Sequence, residues 1–338
     1  MREDAILITG ANGEIGHGLI DHLSKEGCSI VALDLNPMDS ALKSKVNFAY
    51  VADILDKESL RKIFSEHKIR TIYHLASILS TKAEHNPELA HRINVEGTLN
   101  LLQLAMDQSK DAGRAVKFIY PSSIAVYGLP NLAIKAEVGK VCEDQFNTPT
   151  TMYGINKLYC ENLGRYYSKH YRQLTEELSP EESIDFRAIR FPGLISAQTM
   201  PTGGTSDYGP EMLHAAAKEE EYDCFVRPDA VLPFMVMPDA VNSLIQLEAA
   251  DRSQLTKTVY NVTSFNPSAQ EIYDITILAF PKAKITFAPD MHRQGIVDSW
   301  PADIDDSAAR RDWDWQPDYD IERAFIEYLI PTIRERYE

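Results

Sequence analysis

Apolar and polar positions follow one another in blocks through the first half of the chain. "AILIT" (5–9) is a short, wholly apolar run ending in Thr, the mark of a strand buried on both faces. Glycines follow, and then a stretch of helical spacing from Glu14 to Glu26. "SIVALD" (29–34) and "NFAYV" (47–51) read as a second and a third strand. "KESLRKIFSEH" (57–67) has Leu60, Ile63 and Phe64 on one helical face, and "TIYHLA" (71–76) is a fourth strand. Pro87 opens a long helix to about Gln108, with Leu89, Ile93, Leu101, Leu104 and Ala105 as its apolar positions. "AVKFIYP" (115–121) is a fifth strand. Strand and helix alternating in this way predict an α/β fold of Rossmann type, a doubly wound parallel sheet with helices on both faces.

The second half is less regular. A helix from Met152 to Tyr171 leads into "LTEELSPEES" (174–183), an acidic segment poor in apolar residues that reads as an inserted surface excursion. "IDFRAIRF" (184–191) is a sixth strand. From Pro192 onward Pro and Gly are frequent, and "SAQTMPTGGTSDYGPE" (196–211) has the composition of a loop. Helices near Glu211–Lys218, from Ser268 and near Ile321–Arg334 are interleaved with strands at "KTVYNV" (257–262) and "AKITFAP" (283–289). The pattern predicts a dinucleotide-binding domain over 1–191 and, over 192–338, a smaller substrate lobe with room for some of its strands to return to the main sheet. Trp313 and Trp315 are expected to pack that lobe. No internal repeat or low-complexity tract interrupts the chain.

Composition narrows the function. The 338 residues carry a formal net charge of −16, which argues against nucleic acid or an anionic membrane as partner, since both require a basic face. No run approaches the roughly 20 apolar residues of a membrane span, and "MREDAILITG" is unlike a signal peptide. Cys28, Cys142, Cys160 and Cys224 share no CxxC spacing and read as reduced thiols, so a cytoplasmic location is expected. The histidines form no HxH or HxxxH pair, and no metal site is expected.

Two stretches carry chemistry. In "LITGANGEIGHGL" (7–19), Gly10, Gly13 and Gly16 stand directly after a strand and at the opening of a helix. Gly10 permits the tight turn, Gly13 lets backbone approach a pyrophosphate, and Gly16 lets the helix pack on the strand. Free N–H groups at the helix start would receive the phosphates, which makes Asn12, Glu14 and Ile15 candidate contacts. Asp34 ends the second strand, where it can accept hydrogen bonds from both adenosine ribose hydroxyls. Leu35 and Asn36 follow it with no Arg to hold a 2′-phosphate, so NAD is expected and not NADP. Asp53 and Ile54 are placed to clamp the adenine, and Leu75, Ala76 and Ser77 to border the pyrophosphate. The alternative is a glycine-rich turn with a solvated Asp.

The second stretch pairs "FIYPSSIAVYG" (118–128) with "MYGINK" (152–157). Ser123 ends the fifth strand, and ligands collect at the carboxyl ends of such strands. Tyr153 and Lys157 lie four residues apart on one helix and share a face. A nearby ammonium favours the phenolate, so Lys157 is expected to lower the pKa of Tyr153 and to reach the nicotinamide ribose. Tyr153 would serve as general base, and Ser123 would hold the substrate oxygen. The YxxxK spacing alone is common by chance.

Together these features resemble the extended short-chain dehydrogenase/reductase superfamily, and "SSIAVYG" its epimerase-like branch, over essentially the full chain. Nucleotide-sugar enzymes of that branch carry an Asn just after strand six, where this chain has Pro192 and Gly193. The chain is similar instead to the short-chain type of L-threonine 3-dehydrogenase through "RFPGLIS" (190–196), "GGTSDY" (203–208), "LPFMVMPDA" (232–240) and "DSWPADIDDSAARRDWDW" (298–315). Ser206 departs from that family's second Thr, and Ala83 from its usual Gly. The resemblance implies NAD-dependent oxidation of L-threonine to 2-amino-3-oxobutanoate without a metal, by a homodimer joined through the two long helices. Ser80, Gly204, Thr205, Ser206 and Asp207 become candidate substrate contacts beside Ser123 and Tyr153, although 203–207 also fits an exposed turn. Asn94, Pro192 and Leu194 complete the candidate cofactor set. A nucleotide-sugar epimerase or dehydratase and a non-catalytic NAD sensor are the alternatives on the same scaffold.

Overall fold

A computed structural model describes residues 4–174, 179, 182–201 and 203–337. Most of the acidic excursion, 175–178 with 180 and 181, lies outside the described residues. The strands in chain order are β1 (Asp4–Thr9), β2 (Ser29–Asp34), β3 (Phe48–Val51), β4 (Lys68–His74), β5 (Lys117–Ser123), β6 (Lys140–Val141), β7 (Asp185–Phe191), β8 (Gly193–Ile195), β9 (Glu221–Cys224), β10 (Phe234–Val236), β11 (Val259–Asn261), β12 (Lys284–Phe287) and β13 (Asp303–Ile304). Seven of them form one parallel sheet in the order β11-β7-β5-β4-β1-β2-β3. The strand order reverses between β1 and β4, and that is where a doubly wound sheet opens its ligand crevice. The short strands pair as β8 with β10, β9 with β12, and β6 with β13, all parallel. The alternation of the first half is thus realised as a Rossmann-type α/β sheet.

Local chemistry sets the helix ends. Asp56 accepts from the N–H groups of Glu58 and Ser59 and caps the Lys57–Glu66 helix. Ser268 and Glu271 form a reciprocal capping box at the start of Ala269–Ala279. The helix from Pro87 departs from expectation. It runs as Pro87–His91, widens to a π-turn over Arg92–Glu96, and resumes as Gly97–Ala112. The cause lies at Asn94, whose carbonyl accepts from the Thr98 hydroxyl (2.6 Å) and the Cys160 thiol (3.3 Å). Its side chain meanwhile clasps the backbone of Ile78, accepting from N–H at 2.7 Å and donating to C=O at 3.0 Å. Single π-turns of this kind are common near functional sites.

Apolar side chains fill both faces of the sheet and a third cluster in the C-terminal half. Trp313 and Trp315 join residues of that lobe, with Tyr260 against Trp313, to the main-sheet cluster of Ile6, Ile8 and Leu19. The chain after β13 runs back across the sheet, and Asp312 fixes it there by accepting from the hydroxyls of Tyr260 (2.7 Å) and Thr256 (2.6 Å).

One ion pair crosses this core. Glu161, on the Met152–Lys169 helix, and Arg190, on β7, are both fully buried and meet in two hydrogen bonds of 2.9 and 2.7 Å. Ser122 on β5 donates to the same carboxylate at 2.6 Å, and Arg190 also donates to the Glu143 carbonyl at 2.8 Å. Helix and two strands are thereby held in one register. Removing one partner of a buried pair typically costs about 3–5 kcal/mol. Glu161→Gln is therefore expected to lower the unfolding free energy by about that amount, measured by urea denaturation.

Candidate active site

A cleft of about 420 Å³ opens at the carboxyl ends of β1, β4, β5 and β7. Its floor is the glycine turn. Gly10 has φ +67°, and a Cβ there would lie 2.7 Å from the Ala76 nitrogen. A Cβ on Gly16 would lie 2.4 Å from the Ala11 carbonyl oxygen. The bare backbone of this turn and the start of the Glu14–Lys25 helix leave a concave cradle suited to a pyrophosphate. Asp34 lines the same cleft, and its two carboxylate oxygens accept from the N–H groups of Asn12 and Asn36, each at 3.0 Å. These residues fit a dinucleotide.

The candidate cofactor residues divide in two. Gly10, Gly13, Glu14, Ile15, Gly16, Asp34, Leu75, Ala76, Ser77, Tyr153, Lys157, Pro192 and Leu194 line the cleft. Asn12, Leu35, Asn36, Asp53, Ile54 and Asn94 are not part of its wall. Asn12 shapes the turn, donating to the Pro37 carbonyl at 3.0 Å and accepting from Asp39 at 3.1 Å. Leu35 points outward at 67% exposure. Asp53 accepts from the Leu55 N–H, and Ile54 is buried against Gly97. Asn94 acts from behind by holding Ile78, and its carboxamide oxygen also accepts from Ser77 at 3.2 Å.

Tyr153, Lys157, Ser122 and Ser123 meet at the opposite wall. Thr151 caps their helix by accepting from the Gly154 N–H at 3.1 Å. Gly154 is obligatory, because a Cβ there would lie 1.9 Å from the Ala125 carbonyl oxygen. The Ser123 hydroxyl accepts from the Ala125 N–H at 3.1 Å, which fixes its direction. Burial pushes the Tyr153 phenol above its ordinary pKa, and the hydrogen bond to Ser123 works against that rise. Burial likewise pushes Lys157 down to about 8. Its ammonium donates to the Pro121 carbonyl at 2.7 Å and lies 5.4 Å from the Tyr153 ring centre. Here, then, desolvation sets the direction of the phenol's shift, and the lowering expected from Lys157 is not seen. His74, beneath this site, is held neutral by burial between the hydroxyls of Thr9 (2.8 Å) and Thr98 (2.9 Å).

The 203–207 segment forms the rim. Thr205 is buried, and its N–H and hydroxyl meet the Ser80 hydroxyl at 3.3 and 3.2 Å. Asp207 accepts from the Gly204 N–H at 2.6 Å, and Arg293 donates to the Gly204 carbonyl at 2.9 Å. Ser80, Ser123, Tyr153, Gly204, Thr205, Ser206 and Asp207 all face the cleft. Sequence reasoning missed Thr199, Met237 and Trp300, which also line it. Thr199 donates to Glu14 across the cleft mouth. Burial raises the pKa of Glu14, and the nearby charge of Asp207 adds to the rise. The Trp300 N–H is buried without a partner among the described residues. Only its place in "DSWP", within a stretch already singled out, could have marked it.

Residues 6–263 match the NAD dependent epimerase/dehydratase family. The mitochondrial L-threonine 3-dehydrogenase of Bos taurus is 31% identical over 328 residues, covering 94% of this chain and 80% of that one. A solved structure of a monomeric L-threonine 3-dehydrogenase from a metagenome is 35% identical with a TM-score of 0.85, covering 98% of this chain and 100% of that one. The L-threonine dehydrogenase of Clostridium difficile is 30% identical with a TM-score of 0.86, covering 99% of both chains.

Gly10→Ala tests the cradle. A left-handed backbone and a backbone clash together cost about 1–3 kcal/mol, so dinucleotide affinity should fall about 5- to 150-fold. Isothermal titration against wild type measures it.

Proposed function

The chain belongs to the NAD-dependent epimerase/dehydratase family, and we propose that within it this protein oxidises the side-chain hydroxyl of L-threonine to 2-amino-3-oxobutanoate. The observation that carries the reading is the buried contact of Thr205 with Ser80, which brings the 203–207 rim over the proton-handling residues. It makes a short pocket of hydroxyls and backbone groups beside Tyr153. Such a pocket suits a small zwitterion better than a nucleotide sugar, and no Asn follows β7 to meet a second pyrophosphate.

Bound NAD supplies the hydride acceptor. Gly10, Gly13 and Gly16 admit its pyrophosphate, and Asp34 takes the adenosine ribose hydroxyls while repelling a 2′-phosphate. Tyr153 removes the proton from the substrate hydroxyl, and Ser123 holds the oxygen as it becomes a carbonyl. The fixed charge of Lys157 favours the phenolate against its burial and offers donors to the nicotinamide ribose. Ser80, Gly204, Thr205, Ser206 and Asp207 receive the ammonium and carboxylate.

The remaining features belong to the same reading. The boundary between cofactor and substrate lobes is placed at 191/192. Exposed Leu89, Ile155, Tyr159 and Tyr166 lie on the two long helices and offer an apolar face to a second copy. The four cysteines are free, which suits the cytoplasm. Among the described residues no helix is long and apolar enough to cross a membrane.

The deciding experiment follows NADH formation with L-threonine, L-serine, L-allo-threonine and UDP-glucose. Turnover of L-threonine is expected. Turnover of UDP-glucose in its place would transfer the site to sugar chemistry. Tyr153→Phe should lower kcat by about 10²–10⁴-fold and leave NAD binding near wild type. Thr205→Ala strands a buried partner at about 1–3 kcal/mol, so kcat/KM for L-threonine should fall roughly 5- to 150-fold while NAD affinity is kept.

A further inference from the structure

Among the described residues Lys157 lacks the counter-ion that a buried ammonium ordinarily requires. It is 4% exposed. Glu161, one turn along the same helix, raises its pKa, but that carboxylate is engaged by Arg190 and Ser122. Cys160 is the other group on the helix that bears on it electrostatically. On β4, His74 is neutral and hydrogen-bonded to two threonines. The contacts that remain are the Pro121 carbonyl at 2.7 Å and two aromatic faces, Tyr153 at 5.4 Å and Tyr120 at 4.7 Å.

Tyr120 is the nearer face. It lies on β5, is 2% exposed and is absent from the cleft wall. Its hydroxyl engages Cys160 on the helix of Lys157. Its ring stacks obliquely on Phe186 of the neighbouring strand, with centroids 6.0 Å apart. The ring therefore cannot turn away from the ammonium without disturbing β7.

We propose that Tyr120 is a positioning residue: its ring face serves in place of a carboxylate, holding the Lys157 ammonium charged and aimed at Tyr153. A desolvated cation is attracted to the electron-rich face of an aromatic ring. A carboxylate at this position would pair with the ammonium and withdraw its field from the phenol. An aromatic face stabilises the cation and leaves that field intact. The inference rests on the proton-shuttle role of Lys157 given above.

The consequence concerns how the pair shares its first proton loss. Burial already makes the ammonium the more acidic of the two groups. Without the ring it is less stable still, so the Tyr153–Lys157 pair loses its first proton at lower pH and a smaller share reaches the phenolate–ammonium form. In Tyr120→Leu the ascending limb of the pH–kcat profile should move down by about one unit. The plateau should fall about tenfold. Tyr120→Phe keeps the face and should retain the wild-type limb. Because leucine leaves a cavity, Tyr120→Met serves as a second non-aromatic variant of fuller volume, and urea denaturation reports whether each is folded.

A lower plateau with an unmoved limb in both non-aromatic variants would mean that Tyr120 only packs, and would overturn the inference. Lys157→Ala, measured alongside, separates the two levels. Loss of turnover there beside wild-type profiles in the Tyr120 variants overturns the aromatic clamp alone. Wild-type turnover in Lys157→Ala overturns the shuttle and the clamp together.

Discussion

The buried pair of Glu161 and Arg190 is the constraint on which the site depends. Two charges removed from water are held only by good geometry, and here the geometry requires the Met152–Lys169 helix, β5 and β7 to be in register at once. Tyr153 and Lys157 lie on that helix, Ser123 follows Ser122 on β5, and Pro192 follows β7 directly. A slip of any one element would leave an unpaired charge in the core. The accuracy of the proton-handling wall is thus enforced by a contact that never touches the cleft.

Desolvation runs through the whole site with opposite signs. It raises the phenol, lowers the ammonium and keeps His74 neutral. Glu14 and Asp207 bring acidity to the rim of the cleft, where burial favours the protonated form of Glu14.

Much of this was legible in the chain. Apolar blocks separated by helical spacing give the first six strands of the main sheet, β1 to β5 and β7, and the glycine turn, Asp34, Ser123, Tyr153 and Lys157 declare themselves by type and position. What stayed hidden has physical reasons. β6, β8, β10 and β13 are two or three residues long, too short to carry a period. Asp53 and Asn94 have side chains of the right chemistry, but Asp53 turns to its own backbone and Asn94 to Ile78. That Trp313 and Trp315 also reach the main sheet was hidden, because sequence does not show that the chain doubles back. The desolvation of Tyr153 depends on what surrounds it in space, so the YxxxK spacing could suggest a lowered phenol where the fold gives a raised one.

The π-turn at Arg92–Glu96 has a consequence for how this helix evolves. One extra residue in a helical turn advances the angular phase of everything beyond it by about 100°. The segment from Pro87 and the segment to Ala112 therefore present their apolar stripes along different meridians of one rod, one toward the Met152–Lys169 helix and the other toward the Lys57–Glu66 helix as well. A single-residue deletion that restored ideal helix would look conservative in sequence. It would nevertheless swing Asn94 off Ile78 and rotate the first two turns out of their groove.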